Sequence, residues 1–394
     1  MKRDLVTIED LSDAALVGLM DLADDLQRDL HAHARELSGF LMGSLFLEPS
    51  TRTRLSFEAA MARLGGRVIT SSDPQTSSAV KGETLADTVR IVDSYVDLTV
   101  LRHPHAGAAR WAARHARGPV VNAGDGSHEH PTQTLCDLYA LRRERGRLKG
   151  LFVALYGDLR YGRTTHSLAR ALVRTGASFL AVAEDDLELP GFVVHDLLRH
   201  PDYGVRHVVL DDLEEVFHRN DVRALLVGPT DQLPAGGDDA HAPVSFPLRG
   251  HTIDAIYVTR LQQERGASTA RGLPILDHRF LRSDPFQETV VLHPLPRVTE
   301  IAPEVDQDPR AAYFRQAALG VPIRMALLMW ASGHYDLPLD EHPAAPPRPV
   351  DGFRCVATRC IAGQDGEGVP QEIGVREHDV PRCLWCESEA RTET

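Results

Sequence analysis

Short apolar runs alternate with amphipathic segments along most of the chain. The first run, residues 41–47, has the length of a buried strand, and residues 55–64 follow with helical spacing up to Gly65 and Gly66. The inward positions that this spacing predicts are Leu55, Phe57, Ala59, Met61 and Leu64. Further runs that predict strands lie at 67–70, 96–101, 119–122, 151–156, 178–183, 206–210, 224–226, 254–259 and 289–292. This alternation predicts α/β domains with parallel sheets.

Length and composition indicate a globular protein with more than one domain. At 394 residues the chain is too long for one ordinary core, so we expect two domains and a smaller piece. No apolar run approaches the roughly 20 residues of a membrane span, and the first residues lack the pattern of a signal peptide. We therefore expect a cytoplasmic protein with no membrane partner.

The net charge of −13 argues against general binding to nucleic acids or acidic membranes. Any anion site must therefore be built locally. Only three of the 43 basic residues are lysines, namely Lys2, Lys81 and Lys149. A lysine retained against this skew points to a position where arginine would not serve.

The segment 50–54, between the first predicted strand and its helix, concentrates anion-binding groups. It reads Ser-Thr-Arg-Thr-Arg, so three hydroxyls and two guanidinium groups lie beside the unpaired N–H groups of a helix's first turn. Phosphate requires this chemistry. The alternative is a Ser/Thr helix cap with surface arginines.

Two further polar motifs follow predicted strands. Arg102 comes directly after the run 96–101, and strand ends are where open α/β sheets place ligands. Pro131 suits the first position of a helix over 131–145, which puts His130 and Gln133 near its entrance. Both side chains can point at a carbonyl oxygen there, although a lone histidine before a helix is more often a cap.

The string Phe-Leu-Glu-Pro-Ser-Thr-Arg-Thr-Arg at 46–54 closely resembles the carbamoyl-phosphate loop of the aspartate/ornithine carbamoyltransferase family. The motif His130-Pro131-x-Gln133, after Asn-Ala-Gly-Asp-Gly at 122–126, matches the same family. The resemblance continues in order to about Leu337. It implies an α/β fold of two parallel-sheet domains bridged by helices, and transfer of a carbamoyl group.

The resemblance also implies a role for each matching residue. The phosphate-binding groups are Ser50, Thr51, Arg52 and Thr53. The donors to the carbonyl oxygen of carbamoyl phosphate are Thr53, Arg102 and His130. The acceptors from its NH2 group are Gln133 and the backbone carbonyls of Leu295 and Pro296. No cofactor is expected in catalysis, because positioning and charge stabilisation suffice for an activated acyl donor.

The expected second substrate is aspartate. Arg163 and Arg260 match the amino-acid-binding arginines of the family, with Gln262 beside the second, and two guanidinium groups suit two carboxylates. Pro294 and Glu48 also favour aspartate over ornithine. The alternatives are a carbamoyltransferase for another amino acid and a catalytically silent assembly or regulatory homologue. The glycines at 157 and 162 lack the G-x-G-x-x-G spacing of a dinucleotide site.

The polar segment 71–83 has the pattern of an ordinary surface loop. In the family, the matching loop carries a serine and a lysine into the active site of a neighbouring subunit, and Ser77 and Lys81 hold those positions. The resemblance thus implies a trimer-based homo-oligomer with shared active sites. The residues expected to act in catalysis are Arg52, Thr53, Lys81, Arg102 and His130.

The segment 227–250, rich in Gly, Pro, Asp and His, is longer than the family's usual connection. We predict a disordered surface tip there, since long insertions are usually disordered or functional.

Four of the five cysteines lie near the end of the chain, as Cys355-x4-Cys360 and Cys383-x2-Cys386. This spacing predicts a zinc-ribbon-like domain with a structural four-thiolate zinc site. The alternatives are redox chemistry at Cys383-x2-Cys386 and nucleic-acid binding, which 11 acidic residues against 6 arginines from position 340 onward disfavour. The spacing resembles the zinc domain of the regulatory chain that some relatives carry, which implies a role in joining trimers.

Together, these observations divide the chain into four predicted parts. They are a carbamoyl-phosphate-binding domain at 1–135 with returning helices at about 310–337, an aspartate-binding domain at 136–309, a proline-rich linker at 338–350 and a zinc-binding domain at 351–394.

Overall fold

The computed structural model describes residues 2–72, 81–210, 222–235, 243–263, 273–337, 347–376 and 380–392. The chain divides into two compact units, and each is described by itself. Unit 1 comprises Met1–Leu135 and Leu319–Thr394, and unit 2 comprises Cys136–Ala318. The division points lie inside the two helices Pro131–Arg145 and Tyr313–Ala331.

Unit 1 is built on a parallel sheet of four strands in the order β2-β1-β3-β4. Its strands are β1 Leu41–Phe46, β2 Arg67–Ser71, β3 Leu98–His103 and β4 Val120–Asp125. The helices among them are α1 Asp13–Arg28, α2 Thr51–Arg63, α3 Leu85–Asp93 and α4 Ala108–His115, followed by α5 Pro131–Arg145. The predicted parallel α/β arrangement is confirmed, and the carboxyl ends of β1, β3 and β4 meet at one edge.

Helix α2 shows why the sequence folds as it does after β1. Phe57 and Met61, one turn apart, are fully buried, and Gly65 with a φ of +82° ends the segment in a left-handed conformation that glycine adopts readily. Leu55, predicted to face inward, is instead 51% exposed. The apolar face of α2 is therefore narrower than its sequence indicates.

Unit 2 contains a seven-stranded sheet in the order β11-β10-β5-β6-β8-β7-β9. Its strands are β5 Phe152–Tyr156, β6 Ser178–Glu184, β7 Tyr203–Val209, β8 Val222–Pro229, β9 Val244–Ser245, β10 Ala255–Val258 and β11 Val290–Leu292. Its helices are α6 Arg163–Arg174, α7 Gly191–Leu197 and α8 His278–Arg282, and α9 Tyr313–Ala331 begins in this unit. Strand β8 runs antiparallel to β6 and β7, whereas the other pairs are parallel. The predicted parallel sheet is thus confirmed except at β8.

The insertion at 227–250 is not a disordered tip where the structure describes it. Residues up to Pro229 belong to β8, and Val244–Ser245 form the edge strand β9. Phe246 and Leu248 are buried in the apolar core of unit 2. For these flanking parts the prediction is wrong, because the strands and the two apolar side chains anchor them to unit 2. Residues 236–242 lie outside the described residues, so for them it stays a prediction.

The segment with four cysteines forms two small antiparallel sheets within unit 1. Their strands are β12 Arg348–Pro349, β13 Phe353–Cys355, β14 Ile373–Val375, β15 Arg382–Cys383 and β16 Ala390–Thr392. We call residues 347–376 and 380–392 the cysteine domain. Its apolar side chains join those of α3 and α4 in one buried cluster. Most of the predicted linker, residues 338–346, lies outside the described residues.

Within the part of the chain that the structure describes, every helix is too short or too polar to cross a bilayer.

Candidate active site

The segment 50–54 forms the start of α2. Ser50 precedes the helix with an extended backbone, and its hydroxyl makes no capping hydrogen bond. Thr53 is buried in the first turn, whereas Thr51 and Arg52 are exposed. The alternative of a simple Ser50 cap is therefore not supported, and the first-turn N–H groups lack intrahelical partners. Hydroxyls, N–H groups and a guanidinium meet at this helix end.

Arg102, in β3, connects the loop after β1 with β4. Its position in β3 lies opposite Phe46 of β1, and its carbonyl oxygen accepts from Leu47 N at 2.8 Å. The guanidinium donates to Ala123 O of β4 at 3.1 Å and lies 2.8 Å from a Glu48 carboxylate oxygen. Arg102 thus ends at the same sheet edge as the phosphate-binding candidates.

His130 stands at the entrance of α5, as predicted, and both its backbone and its ring are engaged. Its carbonyl oxygen accepts from Gln133 N at 2.9 Å, so the residue does cap the helix. The ring is buried, and Nδ1 lies 3.3 Å from the Thr132 hydroxyl. If that hydroxyl donates, the neutral ring carries its proton on Nε2, where it can donate to a carbonyl oxygen. Capping and a catalytic role are therefore compatible.

A buried carboxylate that the sequence analysis missed organises the loops around His130. Asp125 accepts from Gly107 N at 2.8 Å and from the Asn122 side chain at 2.9 Å. The ring Nδ1 of His128 lies 3.2 Å from both Asp125 oxygens. Burial alone lowers the pKa of His128, but Asp125 and Glu387 raise it to about 10, so the ring is an imidazolium at neutral pH. The sequence signal that could have identified Asp125 is an acidic residue at the end of a predicted buried strand.

A second missed carboxylate, Asp158, joins two loops of unit 2. One of its oxygens accepts from Tyr161 N and the other from Gln262 N, each at 2.9 Å. Arg163 is buried at the start of α6, and Arg260 follows β10. Arg163, Arg260 and Gln262, three of the predicted aspartate-binding residues, therefore lie at one carboxyl edge of the sheet, with Asp158 between their loops.

Gly157 permits this close approach. It has a φ of +123°, and a Cβ atom there would lie 2.3 Å from Thr259 O. The Thr259 hydroxyl donates to Asp158 O at 3.2 Å. Only glycine fits between the ends of β5 and β10.

The backbone at Leu295 and Pro296 is held by His293. Leu295 has a φ of +54°, and its N–H donates to His293 Nδ1 at 2.7 Å. The opposite ring nitrogen lies 2.7 Å from Glu300. Burial raises the pKa of Glu300, but the interaction with His293 and hydrogen bonds from backbone N–H groups together outweigh burial and lower it. This buried ring fixes the loop on which the two carbonyls lie.

Of the two residues expected to act from a neighbouring subunit, the structure describes one. Lys81 is exposed, and Ser77 lies outside the described residues.

Comparisons with known proteins agree with these motifs. A model of the aspartate/ornithine carbamoyltransferase carbamoyl-P binding domain matches residues 3–143, and one of the Asp/Orn binding domain matches residues 251–331. The aspartate carbamoyltransferase catalytic subunit of Thermoplasma volcanium is 43% identical over 332 residues, 83% of this chain and 97% of that protein. The chain belongs to the aspartate/ornithine carbamoyltransferase family. The resemblance found at 46–54 and 130–133 is thereby confirmed.

Solved members of the aspartate/ornithine carbamoyltransferase family share the fold. The catalytic subunit of M. jannaschii aspartate transcarbamoylase has a TM-score of 0.66 and 35% identity, covering 84% of this chain and 98% of that chain. Aspartate transcarbamoylase from Trypanosoma cruzi, in complex with carbamoyl phosphate and aspartate, has a TM-score of 0.66 and 35% identity over 84% and 96%.

The cysteine domain lies beyond the matched family segments, which end at residue 331. The four Sγ atoms lie within 4.8 Å of one another, with Cys355 to Cys386 at 3.6 Å and Cys360 to Cys383 at 3.7 Å. A tetrahedral site with metal–sulfur bonds of about 2.3 Å has sulfur–sulfur edges of about 3.8 Å. The four cysteines can therefore bind a metal ion, and their clustering opposes a simple redox pair.

Proposed function

We propose that this family member transfers the carbamoyl group of carbamoyl phosphate to the α-amino group of L-aspartate. The products are N-carbamoyl-L-aspartate and phosphate, an early step of pyrimidine synthesis, and we place the reaction in the cytoplasm. The observation that carries the proposal is Arg102, whose guanidinium ties the loop after β1 and the strand β4 to the end of β3. The start of α2 lies at the same edge.

The phosphate group would bind at the start of α2. First-turn N–H groups, the hydroxyls of Ser50, Thr51 and Thr53, and the Arg52 guanidinium supply donors for its oxygens. Such a site needs no excess of positive charge elsewhere, which agrees with the net charge of −13.

The carbamoyl carbon would be activated by donors to its oxygen. Attack by the amine places negative charge on the carbonyl oxygen, and Thr53, Arg102 and His130 are the proposed donors to it. The bond from the carbamoyl carbon to the phosphate oxygen then breaks, phosphate leaves with the electron pair, and the proton lost by the amine passes to the departing phosphate. Gln133 and the backbone carbonyls at 295 and 296 would accept from the NH2 group and fix its orientation.

Aspartate would be held through its two carboxylates. Arg163 and Arg260 offer one guanidinium each, and Gln262 is anchored through its N–H to Asp158. Ser77 and Lys81 would act from an adjacent subunit of a trimer-based oligomer. The exposure of Lys81 in the single chain supports this assignment.

Zinc would serve structure and not the transfer. Cys355, Cys360, Cys383 and Cys386 would hold it, and the thiolate set and the sulfur spacing support zinc over harder cations. The cysteine domain is small, so the bound metal would supply part of its folding free energy.

The test compares aspartate with ornithine as acceptors for the purified protein. We expect carbamoyl-aspartate to form and ornithine to give no product. R260K should raise the KM for aspartate at least tenfold, because a single ammonium cannot grip a carboxylate in bidentate fashion. R223K is the matched control, since Arg223 is half exposed and pairs with Asp185. Turnover of ornithine alone, or of neither amine, would overturn the proposal.

A further inference from the structure

The cysteine domain is packed against the loop that follows β3 in the same chain. Trp385 is fully buried, with its ring centroid 5.3 Å from that of Trp111 in α4. A Cβ atom at Gly107 would lie 2.7 Å from the Trp385 backbone and side chain. Ala106 N donates to Arg359 O, and Ile361 N donates to Ala106 O, each at 2.9 Å. The segment directly after Arg102 and His103 is thus fixed by the cysteine domain.

The loop after β3 is in turn joined to the loop that ends at His130. Gly126 N donates to His103 O at 2.9 Å, and Gly107 N donates to the Asp125 carboxylate at 2.8 Å. A Cβ atom at Gly126 would lie 2.4 Å from Ala106 N, so the two backbones are in direct contact. The loops behind Arg102 and His130 therefore form one hydrogen-bonded body.

An ionic contact connects these two loops to the turn at residues 383–387, which contains Cys383 and Cys386 and which we call the cysteine turn. Glu387 follows Cys386 directly and has a φ of +59°, so the cysteine turn determines where its carboxylate lies. One carboxylate oxygen accepts from Arg110 at 3.2 Å, and the other lies 3.6 Å from His128 Nε2. His128 is 5% exposed and Asp125 is fully buried, so this pair of charges is shielded from water, while Glu387 and Arg110 are partly buried. Shielded charge pairs couple more strongly than exposed pairs.

We propose that Glu387 and His128 are positioning residues for carbamoyl transfer. Glu387, in the cysteine turn, holds the His128 ring, and His128 in turn holds Asp125. Asp125 fixes the loops that present Arg102 and His130 to carbamoyl phosphate. The cysteine domain thereby supports the proposed carbamoyl-phosphate site of its own chain, in addition to any role between subunits. This inference rests on the proposed function.

The test uses the full-length, zinc-loaded protein and the variant E387Q, which keeps the side-chain shape and removes the charge. We expect it to bind phosphonoacetamide, a stable analogue of carbamoyl phosphate, about tenfold more weakly in calorimetry. Hydrogen exchange should also be faster over residues 122–130, while zinc content and the KM for aspartate change little. H128N should reproduce these effects, and the double variant should add little to either one, because both substitutions break the same connection.

E372Q is the matched control, because Glu372 also crosses from the cysteine domain to α4, where it pairs with Arg114 at 2.7 Å. That pair does not reach His128, so its loss should leave analogue affinity unchanged. Wild-type affinity in both E387Q and H128N, or an equal loss in E372Q, would overturn the inference. Should E387Q lose zinc, H128N alone decides. Calorimetry needs no aspartate turnover, so wild-type binding without carbamoylation would defeat only the proposed function, and no wild-type binding would defeat both.

Discussion

Asp158 accepts hydrogen bonds from Tyr161 N in its own loop of unit 2 and from Gln262 N, which lies 104 residues after Asp158 in the sequence. Asp125 does the same in unit 1, where Gly107 and Asn122 donate to it. Neither carboxylate is assigned to a substrate. Both are fully buried behind the side chains that are assigned to substrates. A buried carboxylate that loses a hydrogen-bond donor still bears the free-energy cost of its desolvation. The precise placement of the substrate-binding side chains at each candidate site thus depends on residues that lie behind them.

The variant D158N should weaken aspartate binding. An amide replaces one acceptor oxygen with a donor facing a backbone N–H, and losing one hydrogen bond to a buried charge costs about 1.5–3 kcal/mol. We expect the KM for aspartate to rise at least tenfold in steady-state assays at saturating carbamoyl phosphate. D185N serves as the control, because Asp185 is half exposed. An unchanged KM in D158N would show that the two loops hold their positions without this carboxylate.

His103 should make the stability of unit 1 depend on pH. Burial, assisted by His105, lowers the pKa of His103 from 6.5 to about 4. Between these values the unfolded chain binds more protons at this residue, so the contribution of His103 to stability falls as the pH falls. The contribution of His128, whose pKa is raised, changes in the opposite direction. From pH 7.5 to 5.5 we expect a loss of roughly 1 kcal/mol from His103. The three tryptophans, Trp111, Trp330 and Trp385, all lie in unit 1, so urea denaturation followed by tryptophan fluorescence reports on it.

The matched variant for this measurement is H103N. His103 Nδ1 accepts from His105 N at 3.1 Å, and the asparagine side-chain oxygen can accept in its place without titrating. The variant should lose less stability than the wild type over the same pH interval. Identical pH slopes would show that other groups cause the dependence.

At the scale of elements, α4 and the cysteine turn are fitted to each other through Gly107 and Trp385. Gly107 precedes α4 with a φ of +85°, a conformation that other residues rarely adopt. Arg114 covers the Trp385 ring at 4.2 Å, and Arg110 donates to Leu384 O. These contacts make α4 the element on which the cysteine domain is built.

G107A should therefore destabilise unit 1 more than a left-handed conformation alone explains. Alanine with a positive φ costs about 1–2 kcal/mol, and the collision with Trp385 adds to that cost. G366A is the control, because Gly366 has nearly the same φ, +86°, with open space around it. We expect urea denaturation to show a loss at least 2 kcal/mol larger for G107A, which is in the range that overpacking costs. Equal losses would mean that the turn moves away freely.

At the scale of the whole molecule, the apolar core of unit 1 is completed by residues from the far end of the chain. Ile361, Ile373 and Trp385 are buried in the same cluster as Val89 and Trp111. Unit 2 has a separate core. Metal binding in the cysteine domain should therefore affect the two units unequally.

Removal of the metal tests this asymmetry. C360S removes one ligand, and we expect hydrogen exchange to become faster in the cysteine domain, α3 and α4, while β5 and β6 keep their protection. C136S is the control, because Cys136 is also buried but lies in unit 2, where its thiol donates to Gln316 O. Equal loss of protection in both units, or none in α3 and α4, would contradict a metal-dependent core in unit 1.

The sequence alone determined those features whose residues are contiguous. The helix start at 50–54, the His-Pro-x-Gln motif and each of the two cysteine pairs place their chemical groups within a few residues, so local geometry brings them together. Short apolar runs likewise located most strands, because a strand that is buried on both faces is apolar along its length wherever it lies. The meeting of the two cysteine pairs, by contrast, depends on tertiary structure.

Only the tertiary structure decided which segments meet. Periodicity does not encode the direction or neighbours of a strand, so the antiparallel course of β8 and the burial of Phe246 were not predictable. The contacts of Asp158 with Gln262 and of His128 with Glu387 join distant segments. Such contacts form only when packing of the whole unit offsets the entropy of closing long loops, and no local pattern records that balance.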